Sequence, residues 1–356
     1  MIGRGIDQIL PHPCPPRLRE DYVSSAVAYV EFAEQISGRI QRPVGFDYIW
    51  GSALDSLRAR RPDACIVNLE TSVTRSEEYE PKGINYRVSP ENAECLRAAR
   101  IDCCTLANNH VLDWGEAGLV ETLEALDRMG VKRAGAGRNY SEAKRSASLD
   151  IAAKGRVILV AFALPSSGSP PHWAASGETA GVNLLPDLSK NSAALVCHLL
   201  RSATKTGDIS VVSIHWGPNW GYEIPEEQRI FAHRLVDEAG VSVIHGHSSH
   251  HAKAIEVYRN RLILYGCGDF LNDYEGIEGY EEYRADLSLM YFVDVDPTSG
   301  DLAALELTPL QIRRFRLEPA ASIDAEWIAR RLDRESAKFG VRLESASAQS
   351  LTVSWL

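Results

Sequence analysis

From about residue 60 onward, short apolar runs alternate with segments of helical periodicity, and this alternation restricts the chain to few architectures. Most of the apolar runs are rich in Val and Ile, as buried strands are. They are Ala64–Leu69, Cys103–Ala107, Val157–Leu164, Ile209–Ile214, Val241–Ile244 and Leu262–Tyr265. Leu119, Leu123 and Leu126 recur at helical spacing, and Glu226–Ala239 repeats the pattern. Strands alternating with helices predict an α/β layered fold.

Outside this rhythm, the sequence predicts a helix over Val23–Ile36, a strand over Leu310–Leu317 and a terminal helix over Asp324–Phe339. Asp113 is the expected cap of the helix that contains Leu119, and glycines are expected to end the helices. The chain has no internal repeat and no linker-like composition. We therefore expect one domain over residues 1–310, with residues 311–356 packed on it as a strand and a helix.

Composition excludes several classes of protein. A hydrophobic fraction of 45% leaves ample material for a core and rules out a largely disordered chain. Thirty-eight basic against 48 acidic residues give a formal charge of −10, which disfavours binding to nucleic acid or to anionic membranes. The longest apolar run is too short to span a bilayer, and no secretory leader is evident. We expect a soluble, cytoplasmic protein without a membrane anchor.

The chemically active side chains cluster directly after the predicted strands. Glu70 follows the first run, Asn109 and His110 follow the second, and His215 follows Ile209–Ile214. The next run leads into residues 245–251, which hold four histidines. Ligands of open α/β sheets bind at the carboxyl ends of the strands. If these strands are neighbours, the side chains converge on one crevice.

These residue types suggest a divalent metal site. Imidazole, carboxylate and amide oxygen suit Mn, Fe or Zn or, with more oxygen donors, Ca. A single histidine at a strand end is more often structural; Glu70 alone could equally be an ordinary solvated carboxylate, and Asn109-His110 alone could equally be a turn. Four histidines within seven residues, together with the placement after successive strands, favour the metal.

At this point the motifs resemble those of a known family, the CapA-type capsule (poly-gamma-glutamate) biosynthesis proteins. The resemblance runs from about Gly3 to about Phe292. It is carried by Asn68-Leu69-Glu70-Thr71, by Ala107-Asn108-Asn109-His110 with Asp113, Gly115 and Gly118, by His215-Trp216-Gly217, by Gly246-His247-Ser248-Ser249-His250, and by Tyr265-Gly266-Cys267-Gly268-Asp269-Phe270.

The family resembles the calcineurin-like metallophosphoesterases, which implies two packed mixed β-sheets flanked by helices. The resemblance implies that Glu70 bridges the metal and that Asn109 binds it through its amide oxygen. It makes His110 a general acid or substrate contact. The remaining implied ligands are His215, His247 and His250. The candidate substrate contacts are Arg4, Tyr86, Arg87 and Trp216.

Two departures from the family pattern matter. The family's Gly-His-His-Pro-His cluster has Ser248-Ser249 at its middle pair here. The family also opens with a strand that ends in Gly-Asp, whose Asp is a metal ligand, whereas Met1–Gly5 resembles the segment just after it. We expect either that the true start lies upstream or that this chain has lost one ligand. Asp7 is the nearest carboxylate, but its spacing does not place it at the metal.

Three functions follow as hypotheses. The first is a metal-dependent hydrolase, most naturally a phosphoesterase, in which the metal activates water and His110 protonates the leaving group. The second is a metal-dependent peptide epimerase that exchanges a Cα proton. The third is a non-catalytic subunit of polymer synthesis. The substrate is expected to be a small molecule, a peptide or a polymer; the metal, the number of ions and the oligomeric state stay open.

Overall fold

A computed structural model describes residues 1–347 and 349–355. The helices are α1 (Gly5–Ile9), α2 (Ala26–Ser37), α3 (Ala53–Arg60), α4 (Cys95–Ala98), α5 (Gly115–Met129), α6 (Tyr140–Ala143), α7 (Lys190–Ala203), α8 (Glu226–Ala239) and α9 (Ser322–Ser336). The strands are β1 (Ile66–Asn68), β2 (Ser72–Val73), β3 (Arg87–Val88), β4 (Cys103–Thr105), β5 (Lys132–Ala134), β6 (Ala136–Gly137), β7 (Ala147–Ile151), β8 (Gly155–Ala163), β9 (Gly181–Val182), β10 (Ile209–His215), β11 (Val243–His247), β12 (Ile255–Tyr258), β13 (Arg261–Leu264), β14 (Leu287–Val295), β15 (Leu302–Arg313), β16 (Arg316–Pro319), β17 (Val341–Ser347) and β18 (Ser350–Trp355).

The central element is a six-stranded mixed sheet with the order β12-β13-β11-β10-β8-β7. Its four inner strands run parallel, and β7 and β12 pair antiparallel at the two edges. A second, parallel sheet has the order β1-β4-β5. The two sheets together confirm the α/β fold. The candidate site residues lie at the carboxyl ends of β1, β4, β10 and β11.

The two faces of the six-stranded sheet pack against different partners, because side chains alternate along each strand. Phe162, Val212 and Ile214 face a core that includes residues of α7 and α8. Leu159 and Val211 face the larger core, which includes residues of the three-stranded sheet. The sheet is therefore covered on both sides, as its near-continuous apolar strands require.

The C-terminal region forms an antiparallel sheet of order β14-β15-β18-β17, with β16 added on β15. The single strand predicted over Leu310–Leu317 is wrong: β15 ends at Arg313 and β16 begins at Arg316. Arg314 and Phe315 between them adopt the left-handed conformation, with φ of 55° and 56°, which turns the chain into a hairpin. The predicted division between residues 310 and 311 falls inside β15.

Helix ends follow the expected glycine pattern at two positions. Gly130 after α5 and Gly240 after α8 both adopt the left-handed conformation, with φ of 73° and 63°.

In the part of the chain that the structure describes, no helix is both long and apolar enough to cross a membrane.

The packing of α8 gives a stability prediction. Phe231 is fully buried in the core beneath α8, while its neighbour Ile230 is 43% exposed. Phe231→Ala should lower the free energy of unfolding by about 3–5 kcal/mol, because it removes a buried ring and leaves a cavity. Ile230→Ala is the matched control and should stay within about 0.5 kcal/mol of the parent. Urea denaturation measures both, and equal effects would contradict this packing.

Candidate metal centre

The parallel pairing of β10 with β11 builds the floor of the site. In this register His215 lies opposite His247, and Ser213 lies opposite His245. The Nδ1 atoms of His215 and His247 are 2.7 Å apart. The hydroxyl of Ser213 lies 2.8 Å from Nε2 of His247 and 3.0 Å from Nδ1 of His245. Both ring nitrogens of His247 are therefore engaged, and its ring holds that of His215 in place.

Three side chains from three strand ends converge above this floor. Nε2 of His215 lies 3.1 Å from Oδ1 of Asn109 and 3.7 Å from Oε1 of Glu70. Glu70 follows β1 and Asn109 follows β4, so each arrives from the carboxyl end of its strand. The amide of Asn68 donates a 2.9 Å hydrogen bond to Oε2 of Glu70 and orients that carboxylate. The convergence brings together one imidazole, one amide and one carboxylate.

Burial dominates the electrostatics of this group. It raises the pKa of Glu70 to about 7, an effect that nearby His250 opposes and Asp269 reinforces. Burial also holds the pKa of His215 well below its ordinary value, and the charges of His110 and His250 act in the same direction. The neutral form of His215 is the form that can bind a cation.

His250 acts on Glu70 through its charge, and its own Nδ1 is engaged by other residues. That nitrogen lies 3.1 and 3.2 Å from the two carboxylate oxygens of Asp269, and Nε2 lies 3.5 Å from the hydroxyl of Tyr274. Burial lowers the pKa of His250, but the Asp269 carboxylate outweighs it and the net pKa is raised. Asp269 and Tyr274 were not predicted as site residues. Asp269 follows β13, so the strand-end argument could have found it; Tyr274 carries no sequence signal.

His110 forms a chain of contacts with Asp113 and Lys82. Its Nδ1 lies 2.7 Å from Oδ2 of Asp113, whose Oδ1 pairs with the Lys82 ammonium at 2.7 Å. The expectation that Asp113 caps α5 is wrong: Trp114 occupies the cap position, and Asp113 instead accepts a 2.6 Å hydrogen bond from the backbone N–H of Tyr86. This carboxylate is drawn inward because it is the partner of an imidazole and an ammonium.

The environment of His110 keeps its ring neutral. Its pKa is lowered to about 4, chiefly by burial; the Asp113 carboxylate opposes this effect, and the Lys82 charge acts in the same direction as burial. Lys82 also donates to the backbone carbonyl of Asn109, so one ammonium joins the residues on both sides of the site. With Nδ1 held by Asp113, Nε2 is the nitrogen left to accept a proton.

The four candidate substrate contacts lie in different surroundings. The ring of Tyr86 meets that of His110 edge-on at 4.7 Å, so Tyr86 is at the site. Trp216 is buried, stacks on Tyr265 and donates to its carbonyl, which makes it part of the core beside α8. Its position is that of a packing residue.

The two arginines are held by protein partners. Arg4 is buried, binds Asp273 with two hydrogen bonds of 2.7 and 3.1 Å, and contacts Glu20 at 3.0 Å. Arg87 lies over the ring of Trp114 at 3.9 Å and pairs with Glu77. These contacts tie distant segments together.

The Asp7 carboxylate is also bound by other parts of the protein. Its carboxylate accepts hydrogen bonds from the N–H groups of Cys14 and Ser89 and from the amide of Asn92. Those three bonds occupy both of its oxygens.

The fit of a metal to this centre is partial. Over residues 1–347 and 349–355, no group of three or more His, Cys, Asp or Glu side chains is arranged to hold a metal ion. The converging set of Glu70, Asn109 and His215 includes an amide oxygen and has the mixed N/O chemistry that divalent ions accept. His247 would have to release a hydrogen bond to serve as a ligand.

Comparison with known proteins places the chain in a family. The model of the bacterial capsule synthesis protein family, PGA_cap, matches residues 1–274. The chain belongs to this family. The fold is accordingly metallophosphatase-like, as the resemblance implied.

The chain is similar to curated members of several bacteria. It is 45% identical over 345 residues to a probable polyglutamine synthesis accessory protein of Mycobacterium tuberculosis, covering 96% of this chain and 90% of the relative. It is 28% identical over 281 residues to the PGA biosynthesis protein CapA of Bacillus subtilis, covering 78% of this chain and 69% of the relative. The capsule biosynthesis protein CapA of Bacillus anthracis is 24% identical over 347 residues, covering 95% and 72%.

The buried histidines predict how stability changes with pH. Burial lowers the pKa of His110, His245 and His251 from 6.5 to about 4. Between about pH 6.5 and about pH 4 these histidines are protonated in the unfolded chain but neutral in the folded one. The free energy of unfolding should therefore fall as the pH drops through this range. The raised pKa of Glu70 acts in the opposite sense and offsets part of this fall.

Urea denaturation at about pH 7.5 and about pH 5.5 measures the change. His245→Asn should reduce the loss by an amount of the order of 1 kcal/mol. The matched control is His198→Asn on the exposed side of α7, which should leave the loss unchanged. Stability that is equal or greater at the lower pH would contradict the account of neutral, buried rings.

Proposed function

We propose that this chain is a metal-dependent hydrolase that acts as an accessory enzyme in the synthesis of a glutamate polymer. The observation that carries the proposal is the convergence of Glu70, Asn109 and His215 directly beside the His110–Asp113 pair. A set of cation-binding atoms next to an oriented imidazole is the minimum that metal-assisted hydrolysis requires.

Glu70, Asn109 and His215 would hold the ion, with His250 beside them. A bound divalent cation supplies polarisation of a phosphoryl or carbonyl oxygen and lowers the pKa of water. The protein prepares these ligands through neighbouring contacts: Asn68 fixes the Glu70 carboxylate, and His247 fixes the ring of His215. Such outer contacts set the orientation of ligands and strongly affect metal affinity.

His110 handles the proton. Asp113 fixes the tautomer with the proton on Nδ1, so that Nε2 accepts a proton first and then returns it to the leaving group. His110 therefore acts first as a base and only then as an acid, because its pKa of about 4 leaves the ring neutral near pH 7. Lys82 pairs with the second oxygen of Asp113 and so holds that carboxylate in position against His110.

The substrate class comes from the relatives. Those with printed roles are a polyglutamine synthesis accessory protein and proteins of PGA and capsule biosynthesis. We propose that this chain hydrolyses a phosphoester or an amide in a molecule of that pathway.

A second candidate function is a non-catalytic subunit of polymer synthesis. It is favoured by the engagement of both ring nitrogens of His247, which reduces the number of free ligands, and by the word "accessory" in the name of a relative. The two functions differ in whether the centre retains metal.

Substitution of Glu70 tests the metal site. Glu70→Gln keeps the shape of the side chain and its bond from Asn68 but removes the negative charge, so the purified protein should lose at least about 90% of its bound metal. Plasma mass spectrometry measures metal content, and circular dichroism checks the fold. Glu227→Gln, at an exposed position in the first turn of α8, is the matched control and should keep its metal. Unchanged metal content in Glu70→Gln would contradict the proposed metal site. Absence of metal from both the parent and Glu227→Gln would favour the non-catalytic subunit.

Substitution of His110 tests the chemistry. His110→Asn should keep its metal and lower the rate of hydrolysis by about 10²–10⁴-fold, as loss of a proton-transfer group does. Phosphate release from an aryl phosphate and cleavage of glutamyl oligomers are the two assays, each with and without chelator. Deuterium incorporation into a peptide without cleavage would contradict the proposed hydrolysis and indicate epimerisation.

A further inference from the structure

Ser248 has a backbone conformation that residues with a side chain rarely adopt. It follows β11 directly, its φ is 115°, and the residue is buried. Contacts of the Cβ atom disfavour this region for every residue except glycine, so the conformation costs free energy. Residues in such conformations persist only where the surrounding structure holds them, and they cluster at functional sites. Ser248 lies between His247 and His250, two of the histidines predicted for the metal centre.

A hydrogen bond of its own side chain holds Ser248 in this conformation. The hydroxyl donates to the carbonyl of Gly217 at 2.9 Å. Two backbone hydrogen bonds flank this bond along the chain. They run from the N–H of Trp216 to the carbonyl of His247 at 3.1 Å and from the N–H of His250 to the carbonyl of Asn219 at 2.9 Å. The segments that follow β10 and β11 therefore stay side by side beyond the strand ends, and the Ser248 hydroxyl supplies the middle bond.

The turn at Ser248 determines where the chain goes after β11. His247 is the last residue of that strand and is fixed by the strand pairing. His250 comes three residues later, and its N–H reaches the opposite segment only because the chain turns at Ser248. The ring of His250 then meets three side chains: Asp269 at 3.1 Å from Nδ1, Trp220 at 5.2 Å and Tyr274 at 5.3 Å between ring centroids. Rotation about φ of Ser248 would carry this ring away from all three.

We propose that Ser248 is a positioning residue for His250: its hydroxyl bond to Gly217 holds the left-handed conformation, and that conformation places the imidazole. The position of the imidazole matters for the candidate metal centre. Burial raises the pKa of Glu70, and the charge of His250 opposes this effect. This consequence for the metal centre rests on the proposed function, whereas the placement of His250 does not.

Alanine and glycine at position 248 separate the backbone conformation from the hydroxyl. Ser248→Ala removes the bond to Gly217 but keeps the Cβ atom, so the chain should relax to a negative φ and the His250 ring should move. Ser248→Gly also removes the bond, but glycine adopts this φ without strain, so the ring should stay in place. If the serine only filled space, glycine would be the more damaging substitution, because it removes more atoms and loosens the chain.

The measurement is the ¹H–¹³C spectrum of the imidazole rings in the metal-free full chain. The His250 signals are those missing from His250→Gln, and their positions depend on the nearby Trp220 and Tyr274 rings. Ser248→Ala should displace these signals, and Ser248→Gly should restore them to the positions of the parent. Urea denaturation checks that both variants fold, and Ser248→Gly should have the higher midpoint of the two.

Ser249 supplies the matched control. It is buried like Ser248, and its hydroxyl also donates a 2.9 Å hydrogen bond, to the carbonyl of His251, but its φ is negative. Ser249→Ala should therefore leave the His250 signals in place, and Ser249→Gly should show no advantage over it. Unchanged His250 signals in Ser248→Ala, or a displacement in Ser248→Gly as large as that in Ser248→Ala, would overturn the proposal.

Binding of Mn²⁺, followed by electron paramagnetic resonance, extends the test to the metal centre. Ser248→Ala should weaken Mn²⁺ binding at least about tenfold, as loss of a contact behind the ligands does, while Ser248→Gly should stay within about threefold of the parent. Equal Mn²⁺ affinity of the parent and Ser248→Ala would overturn the link between Ser248 and the metal centre. A parent that binds no Mn²⁺ would contradict the proposed function alone, since the imidazole spectra are recorded without metal.

Discussion

The register of β10 against β11 is the constraint on which the site depends. Because it sets His215 opposite His247 and Ser213 opposite His245, the imidazoles form a column whose hydrogen bonds run between the strands. A slip of one residue would turn every one of these side chains to the other face of the sheet. There they would meet the apolar residues of α7 and α8. The same alternation that packs Val212 and Ile214 against the helices thus presents His215 to Glu70 and Asn109.

Several of the buried titratable side chains at the site are paired with one another, which offsets the cost of removing them from water. His250 has Asp269, His110 has Asp113, and Asp113 has Lys82 as well. Burial holds the pKa values of His215 and His247 well below their ordinary value, so these two rings stay neutral. Paired or neutral groups are the two ways in which a folded chain can keep titratable side chains away from water. The Glu70 carboxylate accepts a hydrogen bond from the Asn68 amide, and burial raises its pKa to about 7.

Local patterns in the sequence were enough to predict the α/β fold, β10 and α8, because each is a long periodic segment with clear ends. The strand-end argument also named Glu70, Asn109 and His215, which the structure brings together. Periodicity could not predict the hairpin after Arg313, since the turn depends on two residues in the left-handed conformation. Nor could it predict the partners of Asp113: Lys82 and Tyr86 reach it only through tertiary packing. The same limit hid Tyr274, whose hydroxyl lies 3.5 Å from Nε2 of His250.

The central claim is that Glu70, Asn109 and His215 form a centre for a divalent cation. Crystals of the full chain grown with Mn²⁺ test this most directly, through an anomalous difference map. The account predicts a peak bounded by Oε1 of Glu70, Oδ1 of Asn109 and Nε2 of His215. A well-ordered site without a peak at saturating Mn²⁺, or a peak bound by other residues, would contradict it.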